Sequence, residues 1–120
     1  MQFIPVAHEF YSSRSEGGKF LINSDSEWKS ILGDNIAKDV NFDEFSAVAV
    51  FLGEKPTGGY DIKINSVIEE ETAIRVYVEE SSPGKKCMVT QAFTSPFEIV
   101  KIPKTGKEAY FDISRKITDC

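Results

Sequence analysis

Ala47-Val48-Ala49-Val50-Phe51-Leu52-Gly53-Glu54-Lys55-Pro56-Thr57-Gly58-Gly59-Tyr60 is the stretch on which the fold turns. It begins as an unbroken apolar run and is stopped by a glycine. A run this short with a breaker at its end fits a strand buried on both faces. Beyond it, Pro56 presets one turn dihedral, and Gly58-Gly59 allow positive φ without steric cost. The expectation is a long buried strand that leaves the core, turns rigidly and returns as a strand starting at Tyr60. Two uses of that loop stay open: a plain hairpin turn, or a preorganised exposed loop that recognises a partner with little loss of entropy.

Working outward, Tyr60, Ile62 and Ile64 alternate with Asp61, Lys63 and Asn65, as do Ile74, Val76 and Val78 with Arg75, Tyr77 and Glu79. Both read as half-buried strands with one wet face. Val67–Thr72 reads as the connection between them, and Ser81-Ser82-Pro83-Gly84 as a turn. Further strands are expected at Cys87–Phe93, Phe97–Ile102 and Tyr110–Ile113. On the other side, Phe3–Tyr11 reads as a first strand, with Pro5 suited to its start or to a sheet edge. Ser12–Gly18 reads as a polar connection and Lys19–Asn23 as a short strand. Ser24 and Glu27 have capping-box spacing, Trp28, Ile31 and Leu32 form one apolar stripe, and Gly33 can end the helix. Asn35–Asp43 is expected to be irregular. The sum is a mainly β chain, an antiparallel β-sandwich or partly open barrel of seven or eight strands with one short N-terminal helix.

The 120 residues fit one domain spanning 1–120, long enough to bury a core without metals or a disulfide framework. The formal net charge of −5 and scattered lysines argue against nucleic acid as a partner. No apolar run is long enough for a membrane helix, and Met1-Gln2-Phe3-Ile4-Pro5 lacks the features of a signal peptide. Two compartments stay open: the cytoplasm, or the cell envelope or exterior if a leader has been removed.

Catalytic constellations lack parts. His8 is the one histidine and is expected on a strand surface. A Ser–His–Asp or Cys–His arrangement would have to recruit it. Cys87 reads as a buried small hydrophobe, with no local sign of an activated thiolate. It is not expected to form a disulfide with Cys120, whose terminal position is prone to fraying. Cysteine and histidine spacings suit no zinc site, and the carboxylates never take the form of a calcium loop. The glycines of Gly53–Gly59 lack a Gly-Lys-Ser/Thr ending and precede a strand, so they are not a phosphate loop. Neither enzymatic activity, cofactor nor metal is expected.

The residues from Phe42-Asp43-Glu44-Phe45-Ser46 through Gly53-Glu54-Lys55-Pro56-Thr57-Gly58-Gly59-Tyr60 resemble the core of the PrcB-type domain, a family named after a subunit of a bacterial surface protease complex. Ser82-Pro83-Gly84, Cys87-Met88-Val89-Thr90-Gln91-Ala92 and Ser95-Pro96-Phe97 look like that family's second half, and Trp28 in a short acidic helix like its usual beginning. The resemblance spans roughly residues 20–104. It implies a small non-catalytic bacterial domain, often exported, with a role in assembling or stabilising a protease complex inferred for the founding member. A second likeness concerns loops alone. Pro56-Thr57-Gly58-Gly59-Tyr60, Ser82-Pro83-Gly84 and Ser95-Pro96-Phe97 follow the loop order of chagasin-type inhibitors of papain-like cysteine proteases. Lys55, Gly58 and Ser95 stand where that family has Asn, Thr and Arg.

Three readings follow. The leading one is a protein-binding accessory domain associated with a bacterial protease complex, its partner contacted through Lys55, Pro56, Thr57, Gly58, Gly59, Tyr60, Ser95, Pro96 and Phe97. The second is a cysteine protease inhibitor using the loops around Pro56, Gly84 and Pro96, which requires Thr57, Tyr60 and Phe97 to share one loop cluster. The third is a small ligand-binding β-barrel with a polar-lined cavity containing His8, Gln91 or Tyr77.

Overall fold

The computed structural model describes residues 1–12, 15–33 and 40–118. Along the chain run β1 (Ile4–Glu9), β2 (Gly18–Ile22), α1 (Asp25–Leu32), β3 (Phe45–Phe51), β4 (Asp61–Glu69), β5 (Ala73–Pro83), β6 (Phe97–Pro103) and β7 (Glu108–Thr118). One sheet has the order β1-β6-β3-β2, the other β4-β5-β7. The mainly β class, the sandwich and the short helix are borne out, and the sheets do not close into a barrel.

β3 is the strand buried on both faces, as its apolar run predicts. From Ser46 to Phe51 its residues are buried, and alternation divides them between two cores. Ala47, Ala49 and Phe51 share one cluster with Trp28, Leu32, Val40 and Phe42 from the helical layer. Val48 and Val50 point the other way, into a cluster with Ile62, Ile64, Val67, Ile74, Val76 and Val78 from the second sheet. β6, its neighbour, splits in the same manner, with Phe97 and Ile99 on the helix side and Val100 and Ile102 between the sheets. The molecule is therefore layered helix, sheet, sheet. Each aliphatic side chain so enclosed contributes about 1.5–3 kcal/mol.

The helix follows its sequence signals. Ser24 is the N-cap, its Oγ accepting from the Glu27 N–H at 3.2 Å, and Gly33 closes the helix at φ 69°. Trp28 and Leu32 are its buried residues. Residues 35–39 of the stretch expected to be irregular lie outside the described residues, as do residues 13–14 of the polar connection and Cys120.

Three expectations are corrected. The strand expected over Cys87–Phe93 is an irregular connection, mostly half-buried or exposed, that carries the chain from the second sheet back to the first. The loop between β3 and β4 is no hairpin turn, because these strands lie in different sheets; it is a crossover between layers. Not every pairing is antiparallel: β7 runs parallel to β5 in unbroken register from Ala73↔Glu108 to Pro83↔Thr118.

A polar fastening ties the two sheets along one side. The Ile64 N–H, at the β4 register shift, donates to Glu98 Oε1 on β6 at 2.7 Å. The other Glu98 oxygen lies 3.2 Å from His8 Nδ1, and His8 Nε2 lies 2.7 Å from Asp61 Oδ1. The histidine is thus half-exposed on β1 and held between two carboxylates. Glu98→Ala leaves a buried N–H without an acceptor and should cost about 1–3 kcal/mol. Glu98→Gln, which retains an acceptor oxygen, should recover most of that loss, as read from urea denaturation midpoints.

Candidate partner-binding groove

The crossover from β3 to β4 is clamped by backbone contacts at almost every residue. Gly53 has φ 90°, and a side chain there would meet the Gly17 backbone nitrogen at 3.0 Å. The Glu54 N–H donates to Ser15 O at 2.9 Å. Lys55 and Thr94 exchange both backbone hydrogen bonds, at 2.7 and 2.9 Å, and the Thr94 hydroxyl donates to Thr57 O at 2.8 Å. The Gly58 N–H donates to Thr90 O at 3.0 Å. Gly59 has φ 91° and lies so close to Pro83 and Val89 that an added Cβ would come within 2.9 Å of both. The glycines thus serve close backbone approach as well as turning, and the loop is held from both sides by residues 83–94.

The structure separates the predicted contact residues into two groups. Pro56 and Gly59 are exposed, Lys55, Thr57 and Tyr60 are half-buried, and Gly58 is buried against Thr90. Ser95, Pro96 and Phe97 are buried and act as framework. Ser95 Oγ accepts from the Ser12 N–H at 2.7 Å and its own N–H donates to Phe10 O at 2.8 Å. The Leu52 N–H donates to Pro96 O at 3.0 Å. Phe97 is 0% exposed and stacks on Phe51 with centroids 5.6 Å apart. Ser81-Ser82-Pro83, expected as a turn, is the end of β5; it meets the Pro56 loop, which also pairs with Thr94, at one end of the sandwich, whereas Phe97 faces inward.

Beside this loop opens a groove of about 400 Å³. Leu52, Lys55 and Tyr60 form one wall; Glu80, Ser81 and Ser82 of β5 and Arg115, Lys116 and Ile117 of β7 form the other. It exists because β5 and β7 continue as a parallel pair beyond the packed core, so their last residues have no opposing sheet above them. Glu80 is the one carboxylate of the lining. It is shared by two cations, with Lys19 Nζ at 2.8 Å and Arg115 Nε at 3.3 Å. Lys55 lies over the Tyr60 ring, 5.6 Å from its centroid. With Lys116 added, the groove carries an excess of positive charge in a chain of net charge −5. Cations, serine hydroxyls and the apolar surfaces of Tyr60, Leu52 and Ile117 suit a carboxylate-bearing, extended segment.

The sequence reading missed the β5 and β7 contributions. Arg115 and Ile117 continue the alternation of Phe111 and Ile113, which would have lengthened the strand, but nothing local announces its parallel pairing with β5. His8 and Tyr77 lie away from the groove lining, and the space between the sheets is filled by aliphatic side chains. Among the described residues no group of three or more His, Cys, Asp and Glu is placed to hold a metal ion. Cys87 is corrected too: it is half-buried and disulfide-bonded, its sulfur 3.6 Å from Thr118 O at the end of β7.

A two-sheet sandwich with one helix covering its outer sheet and a glycine-clamped crossover at one end defines a small β-rich domain class. Residues 46–103 match the family model described as PrcB C-terminal, in agreement with the resemblance read from the sequence. No curated protein matches the chain, and no solved structure does.

Gly59→Ala should destabilise the domain by about 1–3 kcal/mol, because it forces an L-residue to positive φ against Pro83. Thermal denaturation of the variant beside Pro56→Ala, which leaves the clamp intact, measures the difference.

Proposed function

We propose that the chain is a non-catalytic, protein-binding accessory domain that works beside a bacterial protease and takes an extended acidic segment of its partner into the groove between the Leu52–Tyr60 loop and the ends of β5 and β7. The observation that carries this reading is the concentration of Lys19, Lys55, Arg115 and Lys116 around one shared carboxylate at a rigid, open end of an acidic protein. A clamped loop loses little entropy when it binds, and local positive potential steers an acidic partner. The match of residues 46–103 to the PrcB C-terminal family supports the association with a protease complex. A chagasin-type inhibitor would need Phe97 on the surface, and its burial disfavours that alternative.

The test is capture of the partner from bacterial envelope extracts, followed by titration of the purified pair. Lys55→Glu and Lys116→Glu should each weaken binding roughly tenfold, more at low salt than at high. Lys29→Glu, an exposed change on α1, should leave it unaltered. Equal effects from all three would refute the groove as the binding site.

We further propose that the domain works outside the cytoplasm. The disulfide at Cys87 supports an oxidising compartment. Alkylation of cells before lysis should find the Cys87 thiol blocked; a reduced thiol would count against this. Reduction in vitro should lower stability by about 2–4 kcal/mol, measured by denaturant titration with and without dithiothreitol.

A further inference from the structure

Among the described residues, three of the four sheet edges are blunted. β1 carries Pro5 and a register shift between Pro5 and Ala7. β2 has only 5 residues. β4 is bulged between Ile64 and Ser66, and the Glu98 carboxylate occupies its Ile64 N–H. Such devices keep an edge from pairing with another chain. β7 has none of them: it runs for 11 residues in unbroken register and ends its sheet, with no strand on its outer side among the described residues.

One hydrogen bond tells which of its backbone groups are free. The Gly84 N–H donates to Thr118 O at 3.0 Å, so Thr118 turns its peptide groups toward β5. Backbone direction alternates along a strand. Lys116, Ser114, Asp112 and Tyr110 therefore face β5 as well, while Ile117, Arg115, Ile113 and Phe111 aim their N–H and C=O groups outward.

We propose that this edge pairs antiparallel with β7 of a second copy of the chain, about a two-fold axis at Ser114, joining the two three-stranded sheets into one. A two-fold contact requires a self-complementary surface, and β7 is one. Residues opposed across the axis must lie on the same sheet face, and the hydrogen-bonded pairs must be outward-facing residues. An axis at Ser114 meets both conditions: Ile113 pairs with Arg115, and Phe111 covers Ile117, which is 72% exposed in one copy. Asp112 then stands opposite Lys116 twice over, at non-hydrogen-bonded positions where side chains approach most closely. Moving the axis to Ile113 sets Lys116 against Tyr110, and moving it to Arg115 sets Lys116 against Ser114; either shift loses both ion pairs. A single strand pair falls short of the roughly 1,200–2,000 Å² of a standard stable interface, so association is concentration-dependent.

Sedimentation velocity across the micromolar to sub-millimolar range tests the proposal on the full chain. The expected result is a monomer–dimer equilibrium that weakens as salt rises. Lys116→Asp should weaken the dimer by roughly tenfold to hundredfold, replacing two attractions with two repulsions. The double exchange Asp112→Lys with Lys116→Asp should restore it. Arg115→Pro removes an outward N–H while sparing the β5 ladder, and should also give monomers. Circular dichroism verifies that each variant is folded, and the restored double variant separates a lost interface from a lost fold. A chain monomeric throughout the range, or a dimer indifferent to Lys116→Asp, would overturn the proposal, as would failure of the double exchange to restore association.

Discussion

The division of β3 between two cores is the constraint on which the remaining architecture rests. Small alanines and Phe51 face the helical layer, valines face the second sheet, and no residue from Ser46 to Phe51 is left for solvent. A strand in that position needs cover on both sides, which calls for the Trp28 helix above and β4, β5 and β7 below. It also needs neighbours on both edges, supplied by β2 and β6. A one-residue slip would exchange the alanine and valine faces and misfit both layers at once, so the register is fixed by packing. The buried Ser46 is the polar exception. Its hydroxyl bonds to the Asn23 side chain and accepts from the Thr105 N–H, tying the end of β2 to the segment that leads into β7.

How much of this was legible follows the range of the interactions. The double burial of β3, the Ser24 cap, the Gly33 stop and the alternating faces of β4 and β5 are written in neighbouring residues. The parallel placement of β7 is not, because it depends on where a distant strand finds a free edge. Cys87–Phe93 has the composition of a strand, yet its backbone is used to hold the Gly58 loop and cross between sheets. Gly53–Tyr60 was recognisable as a rigid turn, but a hairpin and an inter-layer crossover share the same proline and glycine chemistry. Phe97 begins a strand as its sequence predicts, but the loop likeness that made it a contact residue misleads, because stacking on Phe51 makes it core.

The groove is a by-product of unequal lengths. β5 and β7 both have 11 residues, whereas β3 and β6 have 7. The longer pair overhangs the shorter sheet, and the crossover loop meets the overhang instead of packing flat. Residues beyond the core are free from packing demands, which is why Arg115, Lys116 and Ile117 can combine charge and apolar surface on one strand. The clamps on Gly58 and Gly59 then keep the opposite wall at a fixed distance.

The parallel pair also sets an order of events in folding. β7 joins β5 across the whole of β6 and the two connections around it, whereas a short connection joins β4 to β5, so the β5–β7 loop closes after theirs. During synthesis β4 and β5 emerge well before β7 and can pair as a local hairpin. Until β7 arrives, one edge of β5 is bare and Ile74, Val76 and Val78 are only partly covered. The strand that completes the groove is thus the one that completes the cover of β5, and with its arrival the free edge of the sheet passes from β5 to β7.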